Sequence, residues 1–343
     1  MIFPDSGYDN EKAVQELPSR IQNQRTLLLV GAGSSVFAGY RDWDGLLSEM
    51  QQRFAPATPL VGSPLEDADA IKKCVRRRGE EPDYYRFLRN LFAPRSGRAH
   101  HERFHTLLLQ LPVWGVLTTN YDLVLESAIG ELAKGACEAT DLCNPSSRDH
   151  HLYEYLRGLA PHGGNDDPLN DVLHLHGRYD YPEGIVLALE DYERHYGKKK
   201  IFDAQGRPVD DKLDSLHRKV IWSLLTNYHI LFVGFKLKDP FFQEMLQIVR
   251  DDLKLGRQDA HTALMGRHSD ESLDPTVERL SQLNVKPVFF DVQADAATGR
   301  PRDYLTGQLE LLESTLTELG VSIRGARDET WSDVNVSRAR RAD

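Results

Sequence analysis

The feature that most limits how this chain can fold is a series of short apolar runs, each closed by turn-forming residues. They are Thr26–Val30, Val113–Leu117, Val172–Leu175, Ile230–Val233, His261–Met265 and Val285–Asp291. Most are continuously apolar rather than alternating, which suits strands buried on both faces. Between them lie stretches with helical spacing, among them Trp43–Phe54, Asp69–Arg78, Pro82–Phe92, Glu102–Gln110, Leu213–Leu225, Pro240–Leu253 and Arg302–Leu319. Strand alternating with helix predicts an α/β fold with a parallel sheet of about six strands, covered on both sides.

The spacing of the runs predicts the organisation. Residues 1–22 read as an N-terminal arm and 23–325 as one domain. Only helical material separates the first strand from the second, so about 46–105 reads as a helical insertion. The polar stretch of about 140–171 reads as a long loop excursion, and Lys198–Asp211 as another exposed loop. Residues 326–343, with Arg338, Arg340 and Arg341, read as a polar, disordered tail.

Composition removes several function classes. Lys and Arg number 42 against 52 Asp and Glu, a net charge of −10, so a global electrostatic grip on nucleic acid is not expected. The three cysteines, Cys74, Cys137 and Cys143, supply neither a disulfide framework nor a four-cysteine zinc site. No apolar stretch reaches the ~18–20 residues of a membrane span, and the acidic N-terminus is unlike a secretory signal. The expectation is a cytoplasmic protein without a membrane or a metal.

Four polar or glycine-bearing motifs follow buried strands. Gly31, Ala32, Gly33, Ser34 and Ser35 end the first, where glycines permit close approach to a phosphate and a following helix offers N–H groups. Thr118-Thr119-Asn120-Tyr121-Asp122 ends the second, His174-Leu175-His176-Gly177 the third, and Gly234-Phe235-Lys236-Leu237-Lys238-Asp239-Pro240 the fourth. Each alone fits an ordinary turn or helix cap. Together they place polar groups along the carboxyl edge of one sheet, where open α/β folds bind ligands.

In this order the motifs GAGSS, TTNYD, HLHG and GFKLKDP resemble the sirtuin-like NAD-binding domain, and more closely its bacterial anti-phage defence branch. The segment Gly31–Leu46 and the pair Asp191-Tyr192 also fit, and the resemblance covers about Arg25 to Asp291. It implies a Rossmann-like sheet and NAD as substrate, hydrolysed to nicotinamide and ADP-ribose by an NAD-depleting effector. On this resemblance Asn120 orients the nicotinamide ribose and water, and His176 is the base near the ribose hydroxyls. Gly31, Ala32, Gly33, Ser34 and Ser35 hold the pyrophosphate, while Thr119, Asp122, Gly234 and Asp239 line the dinucleotide site. It further implies a homo-oligomer controlled in trans by a partner such as a HerA-type hexameric ATPase or an Argonaute-like protein, with no direct nucleic-acid contact. Two departures stand out. Arg41 occupies a position where the branch usually has Pro, and Cys137 and Cys143 are too widely spaced for a zinc-module pair. A nucleotide-sensing module without turnover, or a deacylase lacking that module, remain alternatives.

The chemistry agrees with glycosidic cleavage, since nicotinamide leaves its cationic form as a neutral ring and needs no general acid. A histidine of ordinary pKa, about 6.5, suits the remaining proton transfer. A rival signal is His101-Glu102-Arg103-Phe104-His105, which matches H-E-x-x-H. Leu108 and Leu111 replace the Gly and His of an extended protease motif, so an amphipathic helix is the expected reading. The runs Lys72-Lys73, Arg76–Arg78 and Lys198–Lys200, and His100, His150 and His151, read as solvated surface.

Overall fold

The six apolar runs all become strands, and a seventh, which no apolar run announces, joins them in one parallel sheet. The computed structural model describes residues 8–57, 59–60, 63–94, 101–135, 137–162, 169, 171–197, 215–268, 272–292 and 301–324. The strands are β1 (Thr26–Val30), β2 (Gly115–Thr118), β3 (Glu138–Asp141), β4 (Asp171–His174), β5 (His229–Val233), β6 (His261–Arg267) and β7 (Val285–Asp291), in the sheet order β3-β4-β2-β1-β5-β6-β7. β1 is central, with Val30 paired to Thr118 on one side and Val233 on the other.

Thirteen α-helices accompany them among the described residues. They are α1 (Asn10–Asn23), α2 (Ala32–Ser35), α3 (Trp43–Phe54), α4 (Pro64–Arg78), α5 (Glu81–Phe92), α6 (Arg103–Leu108), α7 (Val124–Ala133), α8 (Pro145–Gly158), α9 (Leu189–Tyr196), α10 (Leu216–Asn227), α11 (Pro240–Asp252), α12 (Asp274–Ser281) and α13 (Pro301–Glu318). Side-chain alternation divides the core into two layers. Leu27 and Leu29 of β1 pack with Ile221, Leu224 and Phe242 of α10 and α11, while Leu28 and Val30 pack with Leu17, Phe104 and Leu316 of α1, α6 and α13. Each buried leucine contributes about 1.5–3 kcal/mol.

The insertion is helical, as expected. Its helices α3, α4 and α5 share a third apolar cluster with Ile185 and Leu187, so they cover the loops after β2 and β4. Three expectations need correction. The N-terminal arm is largely α1, which is capped by Asp9 and buries Ala13, Leu17 and Ile21 in the main core. The excursion carries β3 and α8. Asn144 caps α8, and Leu152 and Tyr155 anchor it to the sheet. Lys72 is buried rather than solvated. It lies 2.5 Å from Asp191 and 3.0 Å from Glu190, which also meets Arg76, and so ties α4 to α9. The tail, His100 and the stretch Lys198–Asp211 lie outside the described residues.

Candidate active site

All four motifs converge on the carboxyl edge of β1, β2, β4 and β5. The strand ends fix the local geometry. Thr118 donates from Oγ1 to the Val30 carbonyl at 2.9 Å and accepts the Asn120 N–H at 3.0 Å, which turns the chain after β2. The Asn120 amide then reaches across to the β1 loop. Its Nδ2 lies 3.2 Å from the Gly31 carbonyl, 3.3 Å from Ser34 Oγ and 2.8 Å from Ser35 Oγ. Asn120 is buried, yet its Oδ1 has no hydrogen-bond partner among the described residues. A buried acceptor left unpaired costs about 1–3 kcal/mol, which makes it a fitting place for a ligand hydroxyl.

Asp122 is joined to the same network through Ser35 and caps the start of α7 through the Val124 N–H at 3.1 Å. Burial raises its pKa to about 6, against the opposing hydrogen bonds from Ser35 and Val124. His174 is fully buried below. Its Nδ1 donates to the Asn120 carbonyl at 2.9 Å, and its Nε2 lies 2.7 Å from Glu126 Oε1. Burial pulls the His174 pKa down, but the charge and hydrogen bond of Glu126 outweigh it, so the net shift is upward.

The glycines of the first loop serve close loop-to-loop packing. A Cβ on Gly33 would sit 2.9 Å from the Gly234 carbonyl, and one on Gly31 would sit 2.7 Å from that oxygen. Gly234 has φ of +63°, and its own Cβ would fall 2.6 Å from the Ser34 nitrogen. Three loop amides are committed internally: Gly31 to Val233, Gly33 to Gly234 and Ser34 to Gly31. The phosphate-cradle expectation therefore has fewer donors to draw on than the sequence implied, because α2 is a single turn. Thr119, half-buried, donates its N–H to Val30.

His176 belongs to a second group. Its Nε2 lies 2.6 Å from the Tyr196 hydroxyl, and its ring packs edge-on against Tyr192. Tyr192 in turn donates to Asp239 Oδ2 at 2.7 Å, while Asp239 Oδ1 caps α11. Burial, aided by His195, lowers the His176 pKa to about 3, not the ordinary value expected from sequence. The site thus has an Asn120–Ser35–Asp122 half and a His176–Tyr192–Tyr196–Asp239 half. Tyr192, Tyr196, Glu126 and Ser35's bridging role were not read from the sequence. Tyr192 is marked in the sequence only as part of the Asp191-Tyr192 pair, with no role attached.

The H-E-x-x-H residues are otherwise engaged. Glu102 is the N-cap of α6, so His101 and Glu102 lie outside the helix. His101 meets Ser127 and Glu131, and His105 supports the β1 loop by donating from Nε2 to the Ser34 carbonyl at 3.1 Å. Arg41 pairs with Glu49 at 3.2 Å.

With this arrangement in place, the family model for the SIR2-like domain matches residues 115–288, half of the chain. The chain belongs to the SIR2-like domain family. NAD(+) hydrolase ThsA of Enterococcus faecium is 24% identical over 243 residues, covering 71% of this chain and 43% of that protein. NAD(+) hydrolase ThsA of Bacillus cereus (strain MSX-D12) is 23% identical over 242 residues, covering 70% of this chain and 43% of that one. The SIR2-like chain thus spans less than half the length of either relative. A solved structure of Sir2Tm bound to a propionylated peptide aligns with 90% of this chain and 99% of its own, at 14% identity and a TM-score of 0.40. No described helix is long and apolar enough to cross a membrane.

Proposed function

We propose that this domain hydrolyses NAD to nicotinamide and ADP-ribose and acts as an NAD-depleting effector in bacterial anti-phage defence. The carrying observation is Asn120, whose Nδ2 is held by the β1 loop while its buried Oδ1 is left without a partner. That oxygen accepts a hydrogen bond from the nicotinamide ribose or from the attacking water. The water oxygen bonds to the ribose anomeric carbon. The electrons of the glycosidic bond pass to the pyridinium nitrogen, and nicotinamide departs neutral. The water's proton goes to solvent through His176. Family membership and the names of the two relatives support the choice of NAD.

On this reading Gly31, Ala32, Gly33, Ser34 and Ser35 flank the pyrophosphate, and Thr119, Asp122, Gly234 and Asp239 line the dinucleotide. The enzyme works in the cytoplasm as a homo-oligomer, released by a partner such as a HerA-type hexameric ATPase or an Argonaute-like protein. The low basicity of His176 favours one second reading, a module that binds NAD without turnover. Nicotinamide release from NAD by the purified protein, with and without the products of neighbouring genes, separates the two. The hydrolase reading expects release that disappears in Asn120→Ala. Binding of NAD with no release under either condition overturns it.

A further inference from the structure

One cluster outside the Asn120 network joins residues that no short spacing links. Cys143 follows β3, His195 lies in the last turn of α9 and His217 in the first turn of α10. Cys143 Sγ and one ring nitrogen from each histidine all lie within 4.8 Å of one another. Cys143 and His217 are buried, and His195 is half-buried.

We propose that Cys143, His195 and His217 form a binding site for a divalent ion of the zinc class, with solvent in the fourth position. Geometry is the first argument. Tetrahedral zinc, with ligands at about 2.0–2.3 Å, has ligand-to-ligand edges of roughly 3.3–3.8 Å. Cys143 Sγ and His217 Nε2 are 3.5 Å apart, which is already such an edge. The three ligand atoms lie within 4.8 Å of one another, so closure to a tetrahedral edge asks His195 to move by about 1 Å at most. His195 is half-buried in the last turn of α9.

The donor set is the second argument. One thiol and two imidazoles, with no carboxylate, select zinc-like ions over magnesium or calcium. The third is the arrangement of the existing bonds. His217 Nε2 donates to the Leu175 carbonyl at 2.9 Å and Cys143 Sγ donates to the same oxygen from 3.5 Å, so one acceptor sets the imidazole nitrogen and the thiol side by side. Coordination replaces both of these hydrogen bonds. On binding, the Cys143 thiol proton goes to solvent and the His217 proton moves from Nε2 to Nδ1. No electrons are transferred. His195 adjoins Tyr196, whose hydroxyl holds His176, so the ion would pin that end of α9 to the loop after β3.

The test uses the full chain, stripped of metal with a chelator and titrated with Co²⁺, with Zn²⁺ as competitor. The expected result is one Co²⁺ per chain with a thiolate-to-cobalt charge-transfer band, displaced by Zn²⁺. The band should persist in the Cys74→Ser/Cys137→Ser double variant, vanish in Cys143→Ser and need at least tenfold more Co²⁺ in His195→Gln. The proposal is overturned if the folded chain shows no band or loses it in the double variant. It is equally overturned if the band survives Cys143→Ser or if His195→Gln binds as tightly as the parent. None of these readings depends on NAD turnover.

Discussion

His174 and Glu126 make a buried pair under Asn120, and removing one partner tests what the pair does. In His174→Ala the Glu126 carboxyl keeps its burial but loses its 2.7 Å partner, and the Asn120 carbonyl loses its 2.9 Å donor. Breaking a buried pair from one side costs about 3–5 kcal/mol. Glu126→Ala is cheaper, because the imidazole sheds its proton. The double variant removes both groups, so the cycle should give a coupling of about 2 kcal/mol, within the range for residues in direct contact. Urea unfolding of the four proteins at pH 6 measures it. The sign with pH follows from the upward shift of His174, which faces Glu126, Asp141 and Arg178. Its contribution is complete below the unfolded value of about 6.5 and is lost as pH rises through the folded value. Coupling should therefore shrink in alkali. A coupling within about 0.5 kcal/mol of zero at pH 6, or one unchanged in alkali, refutes the reasoning. Because His174 also holds the Asn120 backbone, nicotinamide release should fall in His174→Ala, not stability alone.

Asn120→Ala should abolish nicotinamide release while NAD affinity, measured by calorimetry, changes less than tenfold. Gly33→Val should lower thermal stability before any question of phosphate binding arises, since its Cβ meets the Gly234 carbonyl at 2.9 Å; an unchanged melting temperature would contradict that packing. Burial lowers His105 to about 4, so the unfolded chain takes up a proton below about 6.5 that the fold refuses. Stability therefore falls with pH in that window, and His105→Gln should remove about 2 kcal/mol of the loss between pH 7 and pH 5, read by urea unfolding. Lys72→Met should destabilise by up to about 3–5 kcal/mol by removing the 2.5 Å cation from buried Asp191, which keeps only the Leu187 and Ala188 N–H groups and Arg194 at 3.9 Å, with Asp191→Asn partly restoring stability in the same assay.

Central strands were legible because burial on both faces writes an unbroken apolar run, as in Thr26–Val30 and His229–Val233. β3 was not, because Glu138–Asp141 is a short edge strand with two polar ends. α8 escaped for a related reason: of its 14 residues only Leu152 and Tyr155 are buried, too few to print a stripe. At the site, Asn120, Ser34, Ser35 and Asp122 could be grouped because strand ends in a parallel sheet share one edge. Glu126 and Tyr196 could not, since helix side chains reach the edge only through tertiary packing. Lys72 reads as surface for the same cause, its partner lying 119 residues away. Cys143, His195 and His217 have no common spacing to betray them.

The central place of β1 also governs how the chain can be made. Thr26 pairs with His229, so one flank of the middle strand waits until more than 200 further residues have been synthesised. Closing so long a loop costs only a few kcal/mol of entropy, but strand pairing at that range is slow. Until β5 arrives, the exposed edge of Leu27–Val30 is an apolar template open to any other strand. Nascent chains ending before His229 should therefore be the species that aggregate or engage chaperones, whereas those that include β5 can bury that edge.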